Sequence, residues 1–270
     1  MHNESHNTIP LPEHPASVTV ARALFPRGLS QPEGSFRFSS DALLLAAFPS
    51  LAGQERVLDL GAGCGVVGLA LLCRAPGLTV TGVDCQAALV AAAARNAARL
   101  GFASRYTALC TDLGAAQDTD DAFGGETPQA PGPQAFDLVT ANPPYRQRHR
   151  GRLPRNRARL TALFETGTTQ DDFCRAAALA LRCGGRFAVI YPAAREAELT
   201  RTLARHNLTP CRVLPLAPKR SRAPELLLME SVKAPAAVCV RENPLTLHDE
   251  DGAFSDEALA FCPLLEKKNS

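Results

Sequence analysis

Val57-Leu58-Asp59-Leu60-Gly61-Ala62-Gly63-Cys64-Gly65 reads as a short apolar strand running into a glycine-rich turn, and the apolar residues 66–72 continue as a helix. Glycines at the turn let the backbone approach a ligand closely. The next apolar run, Thr79-Val80-Thr81-Gly82-Val83-Asp84, ends in an acid 23 positions beyond Gly61. That is near the spacing of about 20 expected of a carboxylate that binds ribose hydroxyls. Strand, glycine turn, helix, strand and acid in this order make a nucleoside-binding half-fold.

The glycines fall as Gly-x-Gly-x-Gly with Val at 66, which departs from the dinucleotide fingerprint. A nucleoside without a pyrophosphate is expected. Asp59, just before the turn, repels phosphate and suits a cationic amine. S-adenosylmethionine meets both demands, with its ribose at Asp84 and its α-ammonium group near Asp59. A third strand, Tyr106-Thr107-Ala108-Leu109-Cys110, closes with Thr111-Asp112-Leu113. Asp112 then stands at the carboxyl end of a parallel strand, where open α/β sheets bind ligands. It can accept from an adenine amino group with Leu113 against the ring, or serve as a loop acid or helix cap.

A fourth run, Phe136-Asp137-Leu138-Val139-Thr140-Ala141, leads into Asn142-Pro143-Pro144-Tyr145. The prolines lack N–H donors and stiffen the turn, leaving its carbonyls for a ligand. Asn142 through its side-chain oxygen and Pro143 through its main chain can both accept from a planar NH2 group, and Tyr145 can stack on the plane. Taken alone the tetrapeptide also fits an ordinary turn. Arg146, Arg148, Arg150, Arg152, Arg155, Arg157 and Arg159 follow directly. Beside a reactive turn such a run is expected to hold an RNA backbone through bidentate phosphate contacts; elsewhere it would read as a solvated loop.

Through Asp59–Gly65, Asp84, Asp112 and the Asn142–Tyr145 turn the chain resembles class I S-adenosylmethionine-dependent methyltransferases, over roughly residues 24–260. More narrowly, Gly34-Ser35-Phe36-Arg37-Phe38-Ser39-Ser40-Asp41-Ala42-Leu43-Leu44-Leu45-Ala46 and Leu247-His248-Asp249-Glu250-Asp251-Gly252 look like the bacterial tRNA(Val) adenine-N6 methyltransferases. The resemblance implies N6-methylation of adenosine 37, beside the anticodon of tRNA(Val), with the anticodon stem-loop as partner. It implies catalytic roles for Asn142, Pro143, Pro144 and Tyr145. Cofactor contacts are implied at Arg37, Phe38, Asp41, Asp59, Gly61, Gly63, Gly65, Asp84, Cys85, Asp112, Leu113 and Asn142. Arg37 and Phe38 otherwise read as cap packing, and Asp41 as a helix cap. The Asn-Pro-Pro-Tyr turn is shared with enzymes that methylate glutamine in release factors and guanine in ribosomal RNA. It therefore fixes the atom type, and the alternatives are an N5-glutamine methyltransferase or a different RNA amino-group methyltransferase.

With 270 residues, 46% of them hydrophobic, the chain can bury one sizeable α/β core. Its net charge of +2 excludes a generic polyanion binder. Nine cysteines without a Cys-x-x-Cys pair provide neither a zinc site nor a disulfide frame, so no metal is expected. The polar start and the absence of an apolar run near 20 residues point to a cytoplasmic protein away from membranes. Oligomeric state leaves no sequence signal.

The alternation of strands and helices predicts a Rossmann-like, seven-stranded, mostly parallel sheet with helices on both faces and an antiparallel terminal hairpin. The expected divisions are a flexible lead at 1–20 and one methyltransferase domain at 21–262, followed by a tail at 263–270. Within the domain lie a cap at 21–50, an exposed insertion at 114–135 and a basic substrate loop at 146–169. Helices are expected over 41–48, 86–100, 171–183 and 194–206, with a strand over 185–191. A final pair of strands is expected over 211–216 and 225–232.

Overall fold

The computed structural model describes residues 15–35, 37–114, 133–143 and 168–266. Pro144, Tyr145 and the arginines from Arg146 to Arg159 lie outside these residues, as does most of the 114–135 insertion.

Four parallel strands form the centre of the sheet. β1 (Arg56–Leu60) lies between β2 (Thr79–Asp84) and β4 (Phe136–Ala141), and β3 (Tyr106–Cys110) extends the β2 side. β5 (Leu181–Pro192) continues in parallel from β4, and then β7 (Leu226–Val232) enters antiparallel between β5 and β6 (Thr209–Ala217). The order is therefore 3-2-1-4-5-7-6. The seven expected strands are all present. β8 (Val240–Arg241) and β9 (Leu245–Thr246) add to the β6 edge; at two residues each they are too short to show a period.

Alternation along the strands sorts side chains onto two faces. Val57, Val80, Tyr106, Leu138 and Ile190 join one core cluster, with α2 (Ser40–Ala47), α3 (Val66–Arg74), α4 (Ala87–Arg99) and α7 (Asp256–Phe261). Leu58, Leu60, Val83, Val139 and Phe187 join the other, under α5 (Gln170–Ala180) and α6 (Glu196–Arg205). Residues facing the first cluster include Asp59 and Thr140 by the same parity.

Local chemistry sets the helix ends. Ser39 caps α2 by accepting from the Asp41 N–H, and Thr169 and Asp172 form a reciprocal capping box on α5. Gly101, at φ 69°, ends α4 after Leu100. The helix expected to reach residue 183 stops at Ala180, because Leu181 pairs with Phe136 and is fully buried. The register then slips between Phe136 and Leu138, so residues 182–185 of β5 lie opposite the single residue Asp137 and do not form a further helical turn.

The expected divisions at 20 and 262 both fall inside packed structure. α1 (Pro15–Leu24) runs across the first. Beyond the second, a 3-10 turn at Pro263–Leu265 places Leu265 in the first core cluster.

Candidate active site

The strand order reverses between β1 and β4, so the crevice outside their carboxyl ends is the topological switch point where open α/β sheets take ligands. Leu60 is in register with Ala141 on one side and Val83 on the other, and Asp84 is in register with Cys110. The residues that follow, Asn142, Gly61, Asp84 and Thr111, thus stand in a row along this edge. Three of the expected site positions are brought together by register alone.

The turn after β1 folds on itself. Gly61, Gly63 and Gly65 have φ of 68°, 57° and 89°, in the left-handed region that disfavours a Cβ. Ala62 N–H donates to the Val83 carbonyl, Gly65 N–H to the Ala62 carbonyl, and Gly63 N–H to Asp84 Oδ2, each at 2.9 Å. With those donors used internally, the turn is a poor phosphate cradle, in agreement with the departure from the dinucleotide fingerprint. A Cβ on Gly63 would meet open space, and one on Gly61 only the edge of Phe173. The front of the turn is therefore clear for a flat or extended ligand.

Asp84 also accepts from Gln86 N–H at 2.9 Å through Oδ1. Burial raises its pKa, and the two backbone donors oppose the rise. Each oxygen has one protein donor and retains acceptor capacity for a hydroxyl. Cys85 is half-buried, its thiol pushed up to about 11 by burial and then by Asp84. Asn142 is half-buried and Pro143 buried at the end of β4.

Asp59 occupies a different place from the one expected. It is 1% exposed, lies beneath the turn, and accepts from Thr140 Oγ1 at 2.8 Å and Gly68 N–H at 3.3 Å. Burial pushes its carboxyl up to about 7, against both hydrogen bonds. Through these two bonds the carboxyl ties the first turn of α3 to β4.

Because the folded pKa lies above the ordinary 3.8, the fold binds this proton more tightly than the open chain. The resulting stability is present below about pH 4 and is lost as pH rises through about 7. Asp59→Asn is neutral, and its one acceptor oxygen can keep the Gly68 N–H while its NH2 donates to Thr140 Oγ1 instead of accepting from it. In urea unfolding between pH 5 and 8, the variant should gain on the parent as pH rises; parallel curves would show that Asp59 does not titrate in this range.

The remaining expected residues divide. Asp112 is exposed, with Oδ1 accepting from Gly114 N–H at 2.9 Å and Thr168 Oγ1 at 3.5 Å. Leu113 turns into the second core cluster instead of facing outward. Arg37 is exposed, and Phe38 leans on the first core cluster with its N–H on Gln31 Oε1. Asp41 sits in the first turn of α2, which packs on α3.

Sequence reasoning missed Asn96. Buried on α4, it donates from Nδ2 to the carbonyls of Cys64 and Ser30, at 2.9 and 3.0 Å, and accepts from Ser30 N–H at 2.7 Å. It clamps the glycine turn to the segment before α2. Its signal was an asparagine on the otherwise apolar face of an alanine-rich helix. Among the described residues no group of His, Cys, Asp and Glu could hold a metal ion, and no helix is long and apolar enough to cross a membrane.

Known proteins resemble this chain over most of its length. A Pseudoalteromonas translucida protein named tRNA1(Val) (adenine(37)-N6)-methyltransferase is 25% identical over 233 residues, 84% of this chain and 90% of its own. A Porphyromonas gingivalis protein of the same name is 28% identical over 231 residues, 83% of this chain and 86% of its own. In three dimensions, a predicted O-methyltransferase from Agrobacterium tumefaciens superposes with a TM-score of 0.66 at 21% identity, covering 83% of this chain and 96% of that one. That likeness establishes the shared fold. Residues 38–208, well over half of the sequence, match the methyltransferase small domain, and the chain belongs to that family of methyltransferases.

Proposed function

We propose that this methyltransferase transfers the methyl group of S-adenosylmethionine to the N6 amino group of an adenosine in tRNA, at adenosine 37 of tRNA(Val). The observation that carries this reading is the placement of Asn142 and Pro143 at the end of β4, in register beside Gly61 at the switch point. The names of the relatives that align over most of the chain support the choice of substrate.

The residues present fit the cofactor. The left-handed turn at Gly61–Gly65 leaves space for it, Asp84 would accept from the ribose hydroxyls, and Asp112 would accept from the adenine amino group. When bound, S-adenosylmethionine supplies an electrophilic methyl on a positively charged sulfur.

The chain's own contribution is to prepare the nitrogen. An exocyclic amino group is a poor nucleophile because its lone pair is delocalised into the ring. Asn142 Oδ1 and the Pro143 carbonyl each accept one of its N–H bonds, which favours a more tetrahedral nitrogen and turns the lone pair out of the ring plane. We assign Tyr145 to stacking on the base, with Pro144 beside it in sequence, and Arg146, Arg148, Arg150, Arg152, Arg155 and Arg157 to the RNA phosphates. The target base must leave its stack to reach this turn. Catalysis then rests on positioning, with no acid–base residue needed to form the new bond; the surplus proton leaves to solvent.

Tritium from methyl-labelled S-adenosylmethionine should enter unmodified total tRNA and not release factor. Label confined to the protein would move the reading to a glutamine amide.

A further inference from the structure

Charge is unevenly compensated across the described residues. Among the described residues, ion pairs gather on basic side chains at positions 175–241. The basic loop between β6 and β7 illustrates the pattern. It lies at the carboxyl edge of the sheet, but Lys219, Arg220 and Arg222 pair with Glu250, Glu257 and Glu225 at 3.6, 3.4 and 3.6 Å. Asp249 and Asp251 add further negative charge there. Phosphates gain little from such a loop.

The opposite side of the molecule differs. Residues 15–32 and 86–111 contain neither aspartate nor glutamate, and Arg22, Arg95, Arg99 and Arg105 stand among their basic residues. α1 packs on α4, so these stretches form one surface. Arg22 Nε donates to the Leu100 carbonyl at 2.8 Å. The guanidinium carbons of Arg22 and Arg105 lie 4.3 and 5.2 Å from the Phe102 ring centroid. Arg95 and Arg99, one helical turn apart on α4, are both exposed. Arg99 lies against Gly28, where an added Cβ would come within 2.5 Å of Nη2. Packing therefore preorganises guanidinium forks on a face to which residues 15–32 and 86–111 contribute no carboxylate. Asn96, on the buried side of α4, holds the Cys64 carbonyl of the glycine turn, so the helix that carries this face is tied to that turn.

We infer that the α1–α4 face is a second RNA-binding surface, which takes backbone phosphates of the substrate at a distance from the methyl-transfer pocket. The inference rests on the tRNA reading above. Guanidinium groups bind phosphates bidentately without reading bases, so this surface contributes affinity and orientation and leaves the choice of nucleotide to the pocket.

The test is Arg95→Gln/Arg99→Gln, with Arg95→Gln/Arg105→Gln as an independent pair should loss of the Arg99–Gly28 contact unfold the first. Lys219→Gln/Arg222→Gln serves as the compensated control. Binding to unmodified tRNA is followed by fluorescence anisotropy across a potassium chloride series, with S-adenosylhomocysteine affinity and tRNA methylation measured alongside. Each lost phosphate contact lowers the slope of log affinity against log salt by about 0.7–0.9, so either α4 pair should lower it by roughly 1–2. Affinity near 0.15 M salt should fall roughly tenfold or more, and KM for tRNA should rise with kcat and S-adenosylhomocysteine binding unchanged. The control should match wild type. If wild type methylates tRNA while the α4 variants retain its slope and affinity, this inference is overturned and the tRNA reading stands. If wild type neither binds nor methylates tRNA, both fall.

Discussion

Replacing Asn142 by alanine is expected to slow methyl transfer by tens- to several hundred-fold while leaving S-adenosylhomocysteine affinity within about twofold of wild type. The expected loss is about 2–4 kcal/mol of transition-state stabilisation, the range found when one preorganised polar group is removed from a tight site. The asymmetry follows from the layout. Asn142 follows β4, whereas the glycine turn follows β1 and Asp84 ends β2, and these two are held together by the bond from Gly63 N–H. Removing the amide takes away one acceptor for the target NH2 and leaves the turn's internal bonds intact. Single-turnover rates beside calorimetric titration separate the two effects. Equal losses in both would mean that Asn142 supports the cradle and not the reacting nitrogen.

The second large effect concerns stability. Gly82 faces Ala108 in the middle of β2, and a Cβ there would come 2.2 Å from Tyr106 Oη and 3.0 Å from Ala62 Cβ. The Tyr106 ring is 5% exposed, and Cβ atoms on Gly65 or Gly68 would also reach it at 3.0 and 2.9 Å, so it has little room to retreat. Gly82→Ala should cost about 3 kcal/mol, the upper end for overpacking, and lower Tm by on the order of 10 °C. Tyr106 Oη has no hydrogen-bond partner among the described residues. Tyr106→Phe alone should therefore be neutral or slightly stabilising, since it removes a buried, unsatisfied hydroxyl. In the double variant the nearest clashing atom is gone and much of the loss should return, although Tyr106 Cζ at 3.0 Å keeps the rescue partial. Simple additivity of the two single changes would contradict this packing account.

The central sheet was legible because its parallel strands are short apolar runs that end at glycine, aspartate or asparagine. β2, β3 and β4 begin and end where the sequence places them. The site's outline was legible for the same reason, since the ligand edge of such a sheet is set by strand ends. What was not legible depended on facing and on distant partners. Asp59 was assigned by its nearness to the turn, yet the strand period puts it on the face of Val57, under α3, where Gly68 and Thr140 take its oxygens. Leu113 looked available for a ring, but α5 covers it, and Arg175 Nη2 holds its carbonyl at 2.9 Å. The early end of α5 depended on Leu181 pairing with Phe136, 45 residues earlier in the chain. Asn96 bonds to residues 32 and 66 positions away, and no local pattern encodes that clamp.

The account stands on methyl transfer to an adenine amino group, and the product nucleoside reports it most directly. Unmodified tRNA(Val) treated with the protein and S-adenosylmethionine would be digested and analysed by nucleoside and fragment mass spectrometry. N6-methyladenosine at position 37, absent with Asn142→Ala, is the predicted result. A methylated guanine, or tRNA left unmodified while glutamine in a release factor gains the methyl group, would contradict it.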